Sequence, residues 1–286
     1  MWLINVANRQ LELHNDERTL PRYAILSHTW SGTEVSMQEY RMFVADGCVT
    51  SQKGPSTPGL SEIEACCVQA DKDKLSHLWI DTCCIDKTSS AELSEAINSI
   101  FRCYKNAEIC YVHLEDINAS VLEGMPVDTK LLSQARWFTR GWTLQGLIAP
   151  QSMVFFDGNW MRICTKVDRI DSLALITGAE QAYLTGADLS KASIAKRMYW
   201  AAGRVTTKVE DMAYSLLGLF DINMPLLYGE GAKAFTRLQE EILKETDDQS
   251  LFAWEPKLTH SGQVQHLRKV TLSEGIPVFA HHPAEF

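Results

Sequence analysis

Apolar and polar positions alternate between two periods along the first part of the chain. Tyr23-Ala-Ile-Leu-Ser27-His28 is a continuous apolar run that reads as a short buried strand. Residues 47–60 are rich in Gly, Ser, Thr and Pro and read as a loop. Ser61 and Glu64 then fit a capping box that opens a helix running to about Leu75. Leu78–Ile85 is the next strand, and Ser89 with Glu92 forms a second capping box. Behind it, Leu93, Ile97, Ile100 and Tyr104 share one helical face. A strand over 108–114, a loop over 115–130, a helix over 140–148 that stops at Pro150, and a strand over 152–156 with its turn at Asp157-Gly158 complete the series. Strands alternating with helices at this spacing predict a parallel sheet with helices on its faces.

The pattern changes after about residue 185, where only helical periodicity remains. Thr207 and Glu210 fit a third capping box. Val209, Met212, Ala213, Leu216, Leu217 and Phe220 follow as one stripe, and Ala234, Phe235, Leu238 and Ile242 as another. Gly229-Glu-Gly231 with Lys233 lacks the Gly-Lys-Ser/Thr ending of a phosphate loop and reads as a turn. No internal repeat or heptad pattern is present, and residues 255–286 read as an irregular extension. The expected organisation is an α/β core over 1–180, a helical part over 181–254, and that extension.

Composition narrows the function classes. Of 286 residues, 45% are hydrophobic and 22% charged, as in an ordinary globular protein. The net charge of −9 and the lack of a basic stripe exclude phosphate backbones as partners, so nucleic acid is not expected. No apolar run of about 18 residues exists to span a membrane, and the N-terminal residues do not read as a signal peptide. Eight cysteines occur with no Cys-x-x-Cys pair, and four of them form adjacent doublets. That spacing suits zinc poorly and predicts free thiols in a reduced, cytoplasmic protein with no metal.

Chemistry concentrates in Leu78-Trp-Ile-Asp81-Thr-Cys-Cys-Ile-Asp86-Lys87, which turns from apolar to reactive at its end. In open α/β sheets, ligands bind beyond the carboxyl ends of the strands. Asp81 and Asp86 could hold a ribose or a cation, or cap and pair structurally. Ser27 and His28, at another strand end, could contact a nucleotide or satisfy nearby backbone. Cys83 and Cys84 lack an adjacent base and read as buried thiols. Trp30, Trp79, Trp137 and Trp142 could stack on a base or fill the core.

Three segments with these features are Tyr23-Ala-Ile-Leu-Ser-His-Thr-Trp30, Leu78–Lys87 and Arg136-Trp-Phe-Thr-Arg-Gly-Trp-Thr-Leu-Gln145. Together with Thr206–Phe220, Met224–Gly231 and Ser250–Trp254, they resemble the fungal heterokaryon-incompatibility (HET) domain. The resemblance runs to about Trp254. It implies a role in nonself recognition and regulated cell death. HET domains are in turn distantly similar to TIR domains, which implies a flavodoxin-like parallel sheet. Some TIR domains cleave NAD, and others only assemble signalling complexes.

The chain departs from the family at one position. Arg140-Gly-Trp-Thr-Leu-Gln145 is followed by Gly146, where the family carries the glutamate that looks like the TIR catalytic carboxylate. Cleaving a nicotinamide–ribose bond builds positive charge on the sugar, which a carboxylate stabilises. Glycine cannot, and neutral Gln145 points elsewhere on a helix. The expectation is therefore a HET protein that assembles, as a homo-oligomer or with other HET- or TIR-like signalling proteins. NAD is a possible ligand or substrate, and no other cofactor is implied. The alternatives are an NAD-cleaving hydrolase that uses another carboxylate, Glu92 or Glu95 among them, and an inactive decoy or relic. Restoring the carboxylate with Gly146→Glu is expected to raise activity only where the pocket is otherwise intact.

Overall fold

The computed structural model describes residues 1–29, 34–45, 57–118, 129–255 and 278–286. They form a seven-stranded mixed sheet flanked by helices. The strands are β1 (Trp2–Asn5), β2 (Leu11–Leu13), β3 (Tyr23–His28), β4 (His77–Trp79), β5 (Ile109–Leu114), β6 (Met153–Asp157) and β7 (Arg162–Thr165). Their order across the sheet is β2-β1-β4-β3-β5-β6-β7. β4, β3, β5 and β6 run parallel, while β2, β1 and β7 add antiparallel edges. Taken in chain order, the parallel strands lie 2-1-3-4, as in the start of a flavodoxin-like sheet.

Helices α1 (Met37–Ala45) and α2 (Pro58–Lys72) precede β4, and α3 (Ser90–Asn106) joins β4 to β5. Between β5 and β6 come α4 (Thr129–Gln134) and α5 (Thr143–Ile148). After β7 follow α6 (Ile170–Thr177), α7 (Gln181–Leu184), α8 (Ile194–Ala201), α9 (Asp211–Tyr214), α10 (Leu217–Phe220) and α11 (Lys233–Glu245). The crossovers through α2 and α3 run in opposite directions along the sheet. Right-handedness therefore puts these helices on opposite faces. The core is the buried row of Ala24, Ile25, Leu26, Cys110, Tyr111, Val112 and Phe155, covered on both sides. A sheet buried on both faces explains why these strands read as continuous apolar runs rather than alternating ones.

Three expectations from the sequence change. The predicted strand over Leu78–Ile85 ends at Trp79, because the Cys84 amide turns back to the Ile80 carbonyl at 2.8 Å. The predicted helix over 140–148 begins only at Thr143, since Arg140 is extended and bridges to Val205. Of the three capping boxes, only Ser89 caps its helix, accepting from the Glu92 amide at 3.3 Å. α2 starts a turn earlier than expected, with Thr57 as the cap and Pro58 in the first turn, where its missing amide costs nothing. Glu64 is thereby released to clamp Arg9 through two hydrogen bonds of 2.8 and 2.6 Å. Glu210 takes the amides of Gly229 and Gly231 at 2.8 and 3.0 Å instead of capping locally. Both glycines have positive φ, 104° and 62°, which confirms the turn.

Candidate functional site

β3 and β5 end side by side where the chain's crossovers diverge, the switch point at which open α/β sheets form a crevice. Register sets His28 directly across from His113 at this end. Both imidazoles face α2, which supplies Glu62 between them. Glu62 Oε2 lies 2.9 Å from His28 Nδ1, and Glu62 Oε1 lies 2.6 Å from His113 Nδ1. Asp81, just beyond β4, approaches His28 Nε2 at 3.3 Å. Trp160 stacks on the His113 ring at 4.9 Å. Glu34 and Lys87 pair at 2.7 Å.

The electrostatics follow from this enclosure. Burial works against a charge on His28, but the Glu62 charge and hydrogen bonds with Asp81 and Glu62 outweigh it and raise the imidazole to about 10. Burial likewise opposes ionisation of Glu62, yet the His28 charge and hydrogen bonds from both histidines pull it down to about 2. Asp81 is also lowered, its burial overcome mainly by the His28 hydrogen bond. At neutral pH, His28 is thus an imidazolium held between two carboxylates. With both ring nitrogens engaged it fixes the positions of Glu62 and Asp81 and is not a base. Of the two carboxylates that hold His28, Asp81 is the more open to solvent, 26% exposed at its side chain against 20% for Glu62.

The expected site residues divide between the two faces of the sheet. His28 and Asp81 meet in the cluster. Ser27 points the other way, as alternation along a strand requires. Its hydroxyl accepts the Trp137 indole N–H at 3.0 Å. Gly146 lies on that same face, on α5. A Cβ built there would stand 2.9 Å from Ser27 Oγ and 3.3 Å from Tyr104 Cε1. Gln145 is buried and donates to the Ser215 carbonyl at 2.7 Å, tying α5 to the helical part. Trp142 is half-buried and hydrogen-bonds to Asp211. Trp79 and Trp137 are core residues, and Trp30 lies outside the described residues. Asp86 accepts from Thr88 and Gln38, and Glu92 accepts from the Asp86 amide at 2.9 Å. Cys83 and Cys84 are buried, and burial pushes the Cys83 thiol well up.

Glu62 and His113 were not candidates from the sequence. Glu62 sits inside the misread capping box, and His113 inside an apolar strand. Strand register alone identifies His113, and the rotation of α2 identifies Glu62. A separate cavity of about 560 Å³ lies between α3 and the helical part, lined by Phe101, Arg197, Phe220 and Ile242. None of the expected site residues lines it.

Sheet order and strand-end cluster define an α/β protein with charged chemistry at its switch point. Residues 23–129 match the family described as Heterokaryon incompatibility protein (HET). Residues 233–282 match a domain of unknown function, DUF8212. The chain is 44% identical over 231 residues to the vegetative incompatibility protein HET-E-1 of Podospora anserina, covering 79% of this chain and 16% of that protein. The chain belongs to the HET family. No solved structure matches it significantly. No described helix is long and apolar enough to cross a membrane.

Proposed function

We propose that this chain is the HET module of a cytoplasmic protein that acts in heterokaryon incompatibility and the cell death that follows. It works by associating with copies of itself or with other HET proteins, not by turning over a substrate. The 2-1-3-4 order of the parallel strands is the topology expected of a TIR-like assembly module. The observation that carries the reading is at position 146. There the resemblance implies a carboxylate, whereas this chain has a glycine packed so closely that an added Cβ would stand 2.9 Å from Ser27 Oγ and 3.3 Å from Tyr104 Cε1. The chain spans 16% of the length of HET-E-1.

Incubating the purified chain with NAD and following nicotinamide release tests the proposal. No release above the buffer rate is expected. One observation favours a second reading, in which Asp81, at the switch point and partly open to solvent, supplies the carboxylate of an NAD-cleaving enzyme. Turnover by the unaltered chain that disappears in Asp81→Asn would establish that reading and overturn the first.

A further inference from the structure

We propose that Glu12, His14 and His77 form a binding site for one zinc-class divalent cation. The site lies at the opposite end of the sheet from the His28 cluster, because His77 opens β4 whereas His28 closes the parallel β3 beside it. Register brings the ligands together. Across β1, Leu3 pairs with Glu12 and Asn5 pairs with His77. Leu3 and Asn5 are two residues apart, so Glu12 and His77 project from the same face. His14, two residues beyond Glu12, joins them there.

One donor atom from each of the three residues lies within 4.8 Å of the other two. His77 Nε2 is 3.0 Å and His14 Nε2 3.9 Å from the same oxygen, Glu12 Oε2. Tetrahedral zinc with bonds of about 2.0–2.1 Å places its donors about 3.4 Å apart. The two edges to Glu12 Oε2 fall on either side of that value and the third is at most 4.8 Å, a spread that side-chain rotation can close. Two imidazoles and one carboxylate with a vacant fourth position are a known zinc donor set. Magnesium and calcium prefer oxygen donors throughout and fit poorly.

Outer partners already hold the ligands. Ser76 Oγ lies 2.8 Å from His77 Nδ1, and the Asn5 amide donates to Glu12 Oε1 at 2.8 Å. Such contacts fix the ring tautomer and the carboxylate orientation in metal sites. His14 Nε2 is sealed from solvent and has no hydrogen-bond partner. A buried polar nitrogen left in that state is costly, and a metal bond removes the cost. The Glu12 side chain is 38% exposed, which gives the cation a route in. Once bound, the cation would tie the β1–β2 hairpin to the parallel sheet.

The test uses the full chain, stripped with a chelator and titrated with Co²⁺, whose visible absorption reports tetrahedral binding, followed by displacement with Zn²⁺. A single saturable site is expected. Glu12→Gln and His14→Gln should each weaken it at least about tenfold, and Asn5→Ser, an outer-partner change, about tenfold or more. Zinc should raise the thermal midpoint of the unaltered chain and not that of the two ligand variants. Circular dichroism checks that each variant is folded, and any one folded ligand variant decides the matter. Absence of saturable binding overturns the site. So does binding that survives in a folded Glu12→Gln or His14→Gln, or a sulfur-to-cobalt charge-transfer band, which would place the metal on the cysteines.

Discussion

Gly146→Ala adds one methyl group where the structure leaves no space. The new Cβ would meet Ser27 Oγ at 2.9 Å and Tyr104 Cε1 and Cζ at 3.3 and 3.4 Å. Neither neighbour is free to retreat. Ser27 holds the Trp137 indole at 3.0 Å, and the Tyr104 hydroxyl donates to the Leu26 carbonyl at 3.2 Å. Overpacking of this kind costs about 1–3 kcal/mol. Replacing a helical glycine by alanine returns about 1 kcal/mol. The expected net loss is therefore about 0–2 kcal/mol. Gly146→Glu keeps the steric cost and adds a carboxylate facing buried groups, which raises the loss by several kcal/mol. Urea unfolding followed by tryptophan fluorescence measures both, with Trp137 beside the substitution. A Gly146→Glu chain as stable as the original would refute the packing argument. A gain in nicotinamide release by that variant would show that a single residue disarms the site. The packing of Ser27 and Tyr104 against position 146 instead predicts no such gain.

Three further predictions concern the charged contacts. The Glu62 carboxyl, lowered from 4.5 to about 2, contributes stability above pH 4.5 that is lost as pH falls toward 2. The His28 imidazole, raised from 6.5 to about 10, contributes stability below pH 6.5 that is lost as pH rises toward 10. The difference in urea midpoint between the unaltered chain and Glu62→Gln should thus be largest between about pH 4.5 and 6.5 and shrink on both sides. Glu62→Gln should cost about 3–5 kcal/mol in that window by leaving His28 short of a counter-charge; a loss below about 1 kcal/mol, the worth of an exposed pair, would contradict the buried network. Glu210→Ala should cost about 1–2 kcal/mol by orphaning the Gly229 and Gly231 amides, and amide exchange at these two positions should accelerate selectively.

The parallel core was legible because its strands are buried on both faces. Tyr23–His28, Ile109–Leu114 and Met153–Asp157 are continuous apolar runs whose limits lie within a residue of those read from sequence. The antiparallel edges were not legible. β1, β2 and β7 have three or four residues each and are only partly buried, so period-two alternation barely develops. Capping boxes misled for a related reason. Glu64 and Glu210 find stronger partners across the fold, in Arg9 and in the Gly229–Gly231 turn, than in their own helix starts. At the site, His28 and Asp81 were visible from their places near strand ends. Glu62 and His113 required the β3–β5 register and the facing of α2, which no single segment encodes. The resemblance points to position 146, but only the structure shows that Ser27 and Tyr104 pack against Gly146.

Association in place of turnover is the central claim, and sedimentation velocity on the purified chain, run from dilute to concentrated samples, tests it most directly. The account predicts a weight-average sedimentation coefficient that rises with concentration as assemblies form. A single monomer boundary at every concentration, from a chain that circular dichroism shows to be folded, would contradict it.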